Sequence, residues 1–428
     1  MKKLLLKSFY PVLFVCIILV QSCQNNLPED IEGGYIQKDT IGHQLAEFSP
    51  VDLEDMSAYL ANNGIVVEAD TTELRTKGIF VNSLTVSALK VSCKYPNPSG
   101  AGYVDMSGVI LVPKMTLFTR LINQRLIIAP PPTYTNNKKA PSNIFKRVSL
   151  VSQDSDLNFL YFWTLQARLG YVVLIPDYLG FGDSHGQCFH PYIEAKPMVK
   201  SVLELTKAAK SLLSSKGYRY KKEVIVTGYS LGGFIAASLV RELETTSNYN
   251  IPVSLLVTGG TPCYLKQIAD GVRASDEVDA SHLLPYAIWG YKKNGYPQIN
   301  TADILKEPYA STSWQYFDGT YDDVVSKLPN KVRDLYTDKF IDYLDIDPSI
   351  SYIKDILDDN SVKPWRNKCR FIMTHGTSDI TVYYQNAADF ATDQKKIGSV
   401  TFYTTIGTHI GGVLPYYIKA SEFISRYR

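Results

Sequence analysis

The chain of 428 residues is short of several things, and each shortage argues against a class of function. It has no block of Lys or Arg dense enough to make a nucleic-acid footprint, and its net charge is only +2. Its six cysteines show no Cys-x-x-Cys spacing and no alternation with histidine, so nothing has the pattern of a zinc site. Its apolar runs near the N-terminus are too short and broken to make a spanning helix. No internal repeat is visible. What remains is the composition of a soluble globular protein, 45% hydrophobic and 20% charged, with room for one elaborated domain or two. Tyrosine is plentiful at 30 residues, which hints at amphipathic surfaces or a wide binding cleft.

The first two dozen residues read as a leader rather than as fold. Lys2, Lys3 and Lys7 form a positive n-region, apolar runs lie at 4–6 and 12–20, and Val20-Gln21-Ser22-Cys23 follows. An aliphatic residue, a small residue and then cysteine resembles a bacterial lipobox. The expectation is a signal peptide over 1–22 and an acylated N-terminus at Cys23. That would make an exported protein, lipid-anchored to the cell envelope at the outer membrane, since more than one acyl chain gives stable anchoring. An ordinary signal peptide with an incidental Cys23 is the alternative. Residues 23–80 read as a polar tether and lead-in, with an amphipathic helix around 57–62. Cys93, Cys188, Cys263 and Cys369 remain beyond the leader; they allow three disulfide pairings, or stand as buried thiols.

From residue 81 the patterning is that of a folded domain. Alternating runs at 84–95 and 103–112 flank Pro96-Asn97-Pro98-Ser99-Gly100, which predicts a hairpin adding an antiparallel edge. Short apolar strands at 125–129, 171–176, 223–227, 252–258, 370–374 and 400–405 then alternate with helices, notably 156–169 and 195–216. Continuous apolar strands between helices predict an α/β domain with a mostly parallel sheet covered on both faces. Residues 261–367, rich in Trp and Tyr, interrupt the alternation before the sheet resumes. They predict a helical cap over the carboxyl ends of the strands, where such sheets bind ligands.

One stretch organises the rest. Gly228-Tyr229-Ser230-Leu231-Gly232 lies between a strand and a helix, the setting in which Gly-x-Ser-x-Gly forms a nucleophile elbow. A serine hydroxyl needs a base, and the base needs an orienting acid. After such an elbow the expected order is serine, acid, histidine. Asp379 follows the strand 370–374 and His409 follows the last strand, so both leave the same end of the sheet as Ser230. His375, the competing base, is placed to support the Asp379 loop.

Pro176-Asp177-Tyr178-Leu179-Gly180-Phe181-Gly182, His190-Pro191-Tyr192, the elbow and Gly259-Gly260-Thr261-Pro262 together resemble the α/β-hydrolase superfamily, and within it the secretory-lipase group related to fungal lipase A. The resemblance covers residues 84–428 and is weakest in the cap. It implies an esterase or lipase working without cofactor or metal on a small-molecule or lipid ester, with Ser230 as nucleophile, His409 as base and Asp379 as orienter. The sequence departs from that group at Ala129-Pro130-Pro131-Pro132-Thr133-Tyr134, where relatives carry His-Gly-Thr. An oxyanion hole commonly takes one N–H after the nucleophile and one from this loop. Leu231 supplies the first. Pro131 and Pro132 have no N–H, so Thr133, or else Tyr134, must supply the second. Tyr134, Tyr178 and Tyr229 are the expected substrate-contacting side chains, with a structural role in satisfying the loop after the strand as the other reading of the Asp177-Tyr178 pair. A serine peptidase of prolyl-oligopeptidase type and a non-catalytic binding lipoprotein on the same scaffold are the alternatives.

Overall fold

The computed structural model describes residues 42–67, 75, 83–114, 116, 123–147, 157–246 and 249–427. The leader and Cys23 lie outside the described residues. Among them, the strands are β1 (Gln44–Phe48), β2 (Val86–Pro96), β3 (Tyr103–Pro113), β4 (Leu126–Ile128), β5 (Val172–Pro176), β6 (Val224–Tyr229), β7 (Val253–Gly259), β8 (Arg370–Gly376) and β9 (Thr401–Thr405). They form one sheet in the order β1-β2-β3-β5-β4-β6-β7-β8-β9. From β5 to β9 every neighbouring pair is parallel, whereas β1, β2 and β3 run antiparallel to one another and β3 runs antiparallel to β5.

The parallel strands are apolar on both sides because both faces are covered. Successive residues of β6 serve opposite cores: Val224 and Val226 point to one face and Ile225 to the other. The first core includes Val202, Leu205 and Leu213 of a helix over Ala195–Ser215, with Phe234, Ile235 and Leu239 of the helix over Leu231–Thr245. The second holds Leu53, Met56 and Leu60 of the helix over Pro50–Asn62, Phe162 and Trp163 of Leu157–Arg168, and Tyr416 and Phe423 of Val413–Ser425.

The N-terminal part corrects two expectations. Residues 44–62 belong to the domain rather than to a tether: β1 pairs with β2, so it, not the hairpin, forms that edge of the sheet. The helix expected at 57–62 begins at Pro50, because Ser49 and Asp52 close a reciprocal capping box. The Asp52 N–H donates to Ser49 Oγ at 3.3 Å, and the Ser49 N–H donates to Asp52 Oδ2 at 2.7 Å. Between β7 and β8 the chain forms helices at Leu265–Arg273, Leu283–Lys293 and Tyr352–Asn360, joined by shorter helical turns. Cys93, Cys188, Cys263 and Cys369 are all free thiols.

Candidate active site

The elbow follows from local sterics. Ser230 takes φ +56°, a left-handed conformation that a non-glycine residue adopts only when its surroundings impose it. Its N–H is tied to Gly259 O at 2.8 Å, and its own carbonyl accepts from Phe234 N at 3.0 Å in the first turn of the following helix. A Cβ at Gly228 would come within 2.2 Å of Gly232 O, and one at Gly232 within 2.1 Å of Pro130 O. Both glycines are therefore required, the first by the turn itself and the second by the loop that crosses it.

Three residues far apart in sequence converge here. Ser230 Oγ lies 2.9 Å from His409 Nε2, and His409 Nδ1 lies 2.7 Å from Asp379 Oδ2. The other carboxylate oxygen, Oδ1, accepts the N–H groups of Thr381 at 3.0 Å and Val382 at 2.9 Å. Burial works against the charge on Asp379. The hydrogen bonds from His375 and His409 outweigh it and bring the carboxyl down to about 2. His375 is buried, with Nε2 placed 2.8 Å from Val382 O and 3.2 Å from Asp379 Oδ2. It braces the acid loop, the place its sequence position indicated.

The loop after β4 is fixed from below. Tyr178, at φ +66°, turns its hydroxyl under the loop and donates to Pro131 O at 2.6 Å. Thr133 Oγ1 pairs with the Tyr192 hydroxyl at 3.0 Å. The N–H groups of Thr133 and Leu231 donate to no described residue. Leu231 opens its helix, where the first N–H groups have no internal partner.

A cleft enclosing about 780 Å³, its open mouth included, leads from Ser230. Pro262, Leu265, Ile268, Val272, Leu283 and Leu284 wall it on the side of the segment after β7, facing Tyr192, Ile193, Ile380 and Tyr383. Tyr134, Tyr178 and Tyr229, expected to touch substrate, are not in this wall. Tyr178 is spent on Pro131. Tyr134 donates to the Asp177 carbonyl and stacks on Tyr178 at 6.0 Å. Tyr229 donates to His409 O at 2.5 Å and so positions the histidine loop. Asp177 is wholly buried and structural: Oδ1 accepts from Ser142 N at 2.8 Å and Oδ2 from Ser107 Oγ at 2.5 Å. The wall residues Tyr192 and Ile193 were not among the sequence candidates for the cleft. Their only signal was the His190-Pro191-Tyr192 stretch, which carries no chemistry by itself.

A mostly parallel sheet sandwiched by helices, with a strained serine elbow between β6 and its helix, is the α/β-hydrolase fold. Comparisons with known proteins agree. Residues 157–249 match the model of the prolyl oligopeptidase family. No curated protein sequence matches the chain. Among solved structures, a Legionella pneumophila protein described as a hydrolase is 20% identical, with a TM-score of 0.72 over 90% of this chain and 96% of its own. The rice cell wall degrading esterase LipA from Xanthomonas oryzae is 20% identical, with a TM-score of 0.71 over 91% of this chain and 98% of its own. Candida antarctica lipase A is 16% identical, with a TM-score of 0.56 over 80% of this chain and 75% of its own.

Proposed function

We propose that this chain is a serine hydrolase of carboxylic esters that works through an acyl-enzyme. The observation that carries the reading is the unbroken hydrogen-bond path from Ser230 Oγ through His409 to Asp379, opening on an apolar cleft. Ser230 Oγ attacks the ester carbonyl while His409 Nε2 takes its proton. Asp379 holds the imidazole with Nδ1 protonated, leaving Nε2 free to act as the base. The oxyanion that forms accepts hydrogen bonds from Leu231 N–H and from Thr133 across the cleft. Collapse breaks the bond to the alcohol, which leaves with the proton from His409. Water, activated by the same histidine, then releases the acid and restores Ser230.

The fold shared with LipA and lipase A supports ester substrates, as their names describe an esterase and a lipase. The match to the prolyl oligopeptidase family favours a second reading, a serine peptidase. That match ends at residue 249, so it takes in Ser230, Tyr192 and Ile193 but stops before Asp379, His409 and most of the cleft wall, and it bears on the elbow more than on substrate. Turnover of p-nitrophenyl acyl esters against prolyl-peptide amides separates the two readings. Faster cleavage of the peptides would replace the ester reading. Ester turnover that persists in Ser230→Ala would move the nucleophile elsewhere. From the leader sequence we also propose export and anchoring to the cell envelope through acylated Cys23.

A further inference from the structure

The cleft beside Ser230 is apolar, and the hydroxyls in its wall are mostly engaged within the protein. Tyr291 donates to Ile193 O at 3.2 Å, Tyr192 pairs with Thr133 at 3.0 Å, Tyr383 with Ser275 Oγ at 3.4 Å, and Ser281 Oγ donates to Asn330 Oδ1 at 3.4 Å. Tyr336 is different. It lines the same cleft and is 0% exposed, yet its hydroxyl has no hydrogen-bond partner among the described residues. The position is firmly held: the Tyr336 N–H donates to Val332 O at 2.9 Å, its backbone bridges to Leu305, and its ring packs on Phe340 at 5.3 Å. Burial, with the nearby Tyr383 adding to it, pushes the phenol well up, so it stays a neutral donor and acceptor at any ordinary pH. A buried hydroxyl left unpaired is costly, and a ligand group that satisfies it gains that cost back as selectivity.

We propose that the arm of the ester entering this cleft is apolar along its length but ends in a neutral hydrogen-bonding group, a hydroxyl or carbonyl, which Tyr336 receives as a specificity-determining residue. The inference rests on the ester-hydrolase reading above. The end group must be neutral because the one charged side chain among the described wall residues, Asp279, is exposed, leaving a buried ammonium or carboxylate without a counter-ion. A plain alkyl arm would fill the same space and leave the Tyr336 hydroxyl unpaired.

The test is binding to full-length Ser230→Ala by calorimetry, with two series of graded chain length. Methyl ω-hydroxyalkanoates place the hydroxyl on the acyl arm, and monoacetates of α,ω-alkanediols place it on the alcohol arm; each is compared with its plain alkyl counterpart. In one of the series the hydroxylated ligand should bind on the order of ten-fold tighter at one chain length, the length that reaches Tyr336. Adding Tyr336→Phe should bring that ratio close to one. A ratio near one at every length in both series, or a peak that survives Tyr336→Phe, overturns the proposal. The length profile needs no change at Tyr336, so it decides the matter even if that variant folds poorly. If wild type hydrolyses plain esters and the binding preference is absent, this inference alone fails. If the preference is present and no ester is hydrolysed, the proposed function fails instead.

Discussion

Replacing Asp379 by asparagine is the most informative single perturbation. Oδ1 of Asp379 accepts two backbone N–H groups, from Thr381 and Val382, so an amide must keep its oxygen on that side. Its NH2 group then faces His409 Nδ1 and His375 Nε2, which lie 2.7 Å and 3.2 Å from Oδ2 in the native site. His409 can accept from that NH2 only by moving its own proton to Nε2, and an Nε2–H cannot take the serine proton. The expected loss in kcat is on the order of 10⁴-fold. The substitution also has a stability signature. The Asp379 carboxyl is lowered from 3.8 to about 2, so its ionised form stabilises the fold at pH values above the unfolded-chain value. That contribution is lost as pH falls through the folded value. A shift of that size is worth roughly 2–3 kcal/mol. Denaturant titrations of wild type and Asp379→Asn should therefore differ by about that amount at pH 7 and converge toward pH 2. A kcat within ten-fold of wild type, or a stability gap independent of pH, would refute this reasoning.

Other consequences can be checked separately. Thr133→Val removes only the hydroxyl, whereas Thr133→Pro removes the N–H; if the backbone is the second oxyanion donor, the proline variant should lose roughly 10²- to 10³-fold in kcat and the valine variant far less. Gly232→Ala drives a Cβ to within 2.1 Å of Pro130 O, a backbone atom, and should cost about 1–3 kcal/mol in a denaturant titration as well as ester turnover. Cys23→Ala should shift the expressed protein from the membrane to the soluble fraction on cell fractionation, if Cys23 carries the anchor.

Much of the sheet was legible because its strands are continuous apolar runs between helices. The elbow was legible because its steric demands fall on two glycines within five residues. Other parts were hidden for physical reasons. β1, Gln-Leu-Ala-Glu-Phe, is a partly exposed edge strand with a single fully buried side chain, Phe48, and its polar composition reads as tether. The helix Tyr384–Ile397 escaped notice because its buried face includes Asn386 and Gln394 rather than aliphatic residues alone. Asn386 Oδ1 accepts from Cys263 N at 2.8 Å, and Gln394 Nε2 donates to Trp365 O at 2.7 Å, so these side chains join the helix to distant chain through hydrogen bonds. Sequence position, in the elbow and in the loops after two strands, made Tyr134, Tyr178 and Tyr229 candidates to face substrate. Long-range geometry turned each hydroxyl onto a carbonyl oxygen of a neighbouring loop, a use that no local pattern encodes. The cleft wall is drawn from segments more than a hundred residues apart, and Tyr336 became visible only when they were brought together.

Whether Ser230 is an activated nucleophile is decided by reacting the folded protein with a fluorophosphonate and mapping the adduct by peptide mass spectrometry. The expected result is a stoichiometric adduct on Ser230, absent in Ser230→Ala and strongly slowed in Asp379→Asn. Well-folded protein that remains unlabelled, or an adduct that maps to another residue, would contradict it.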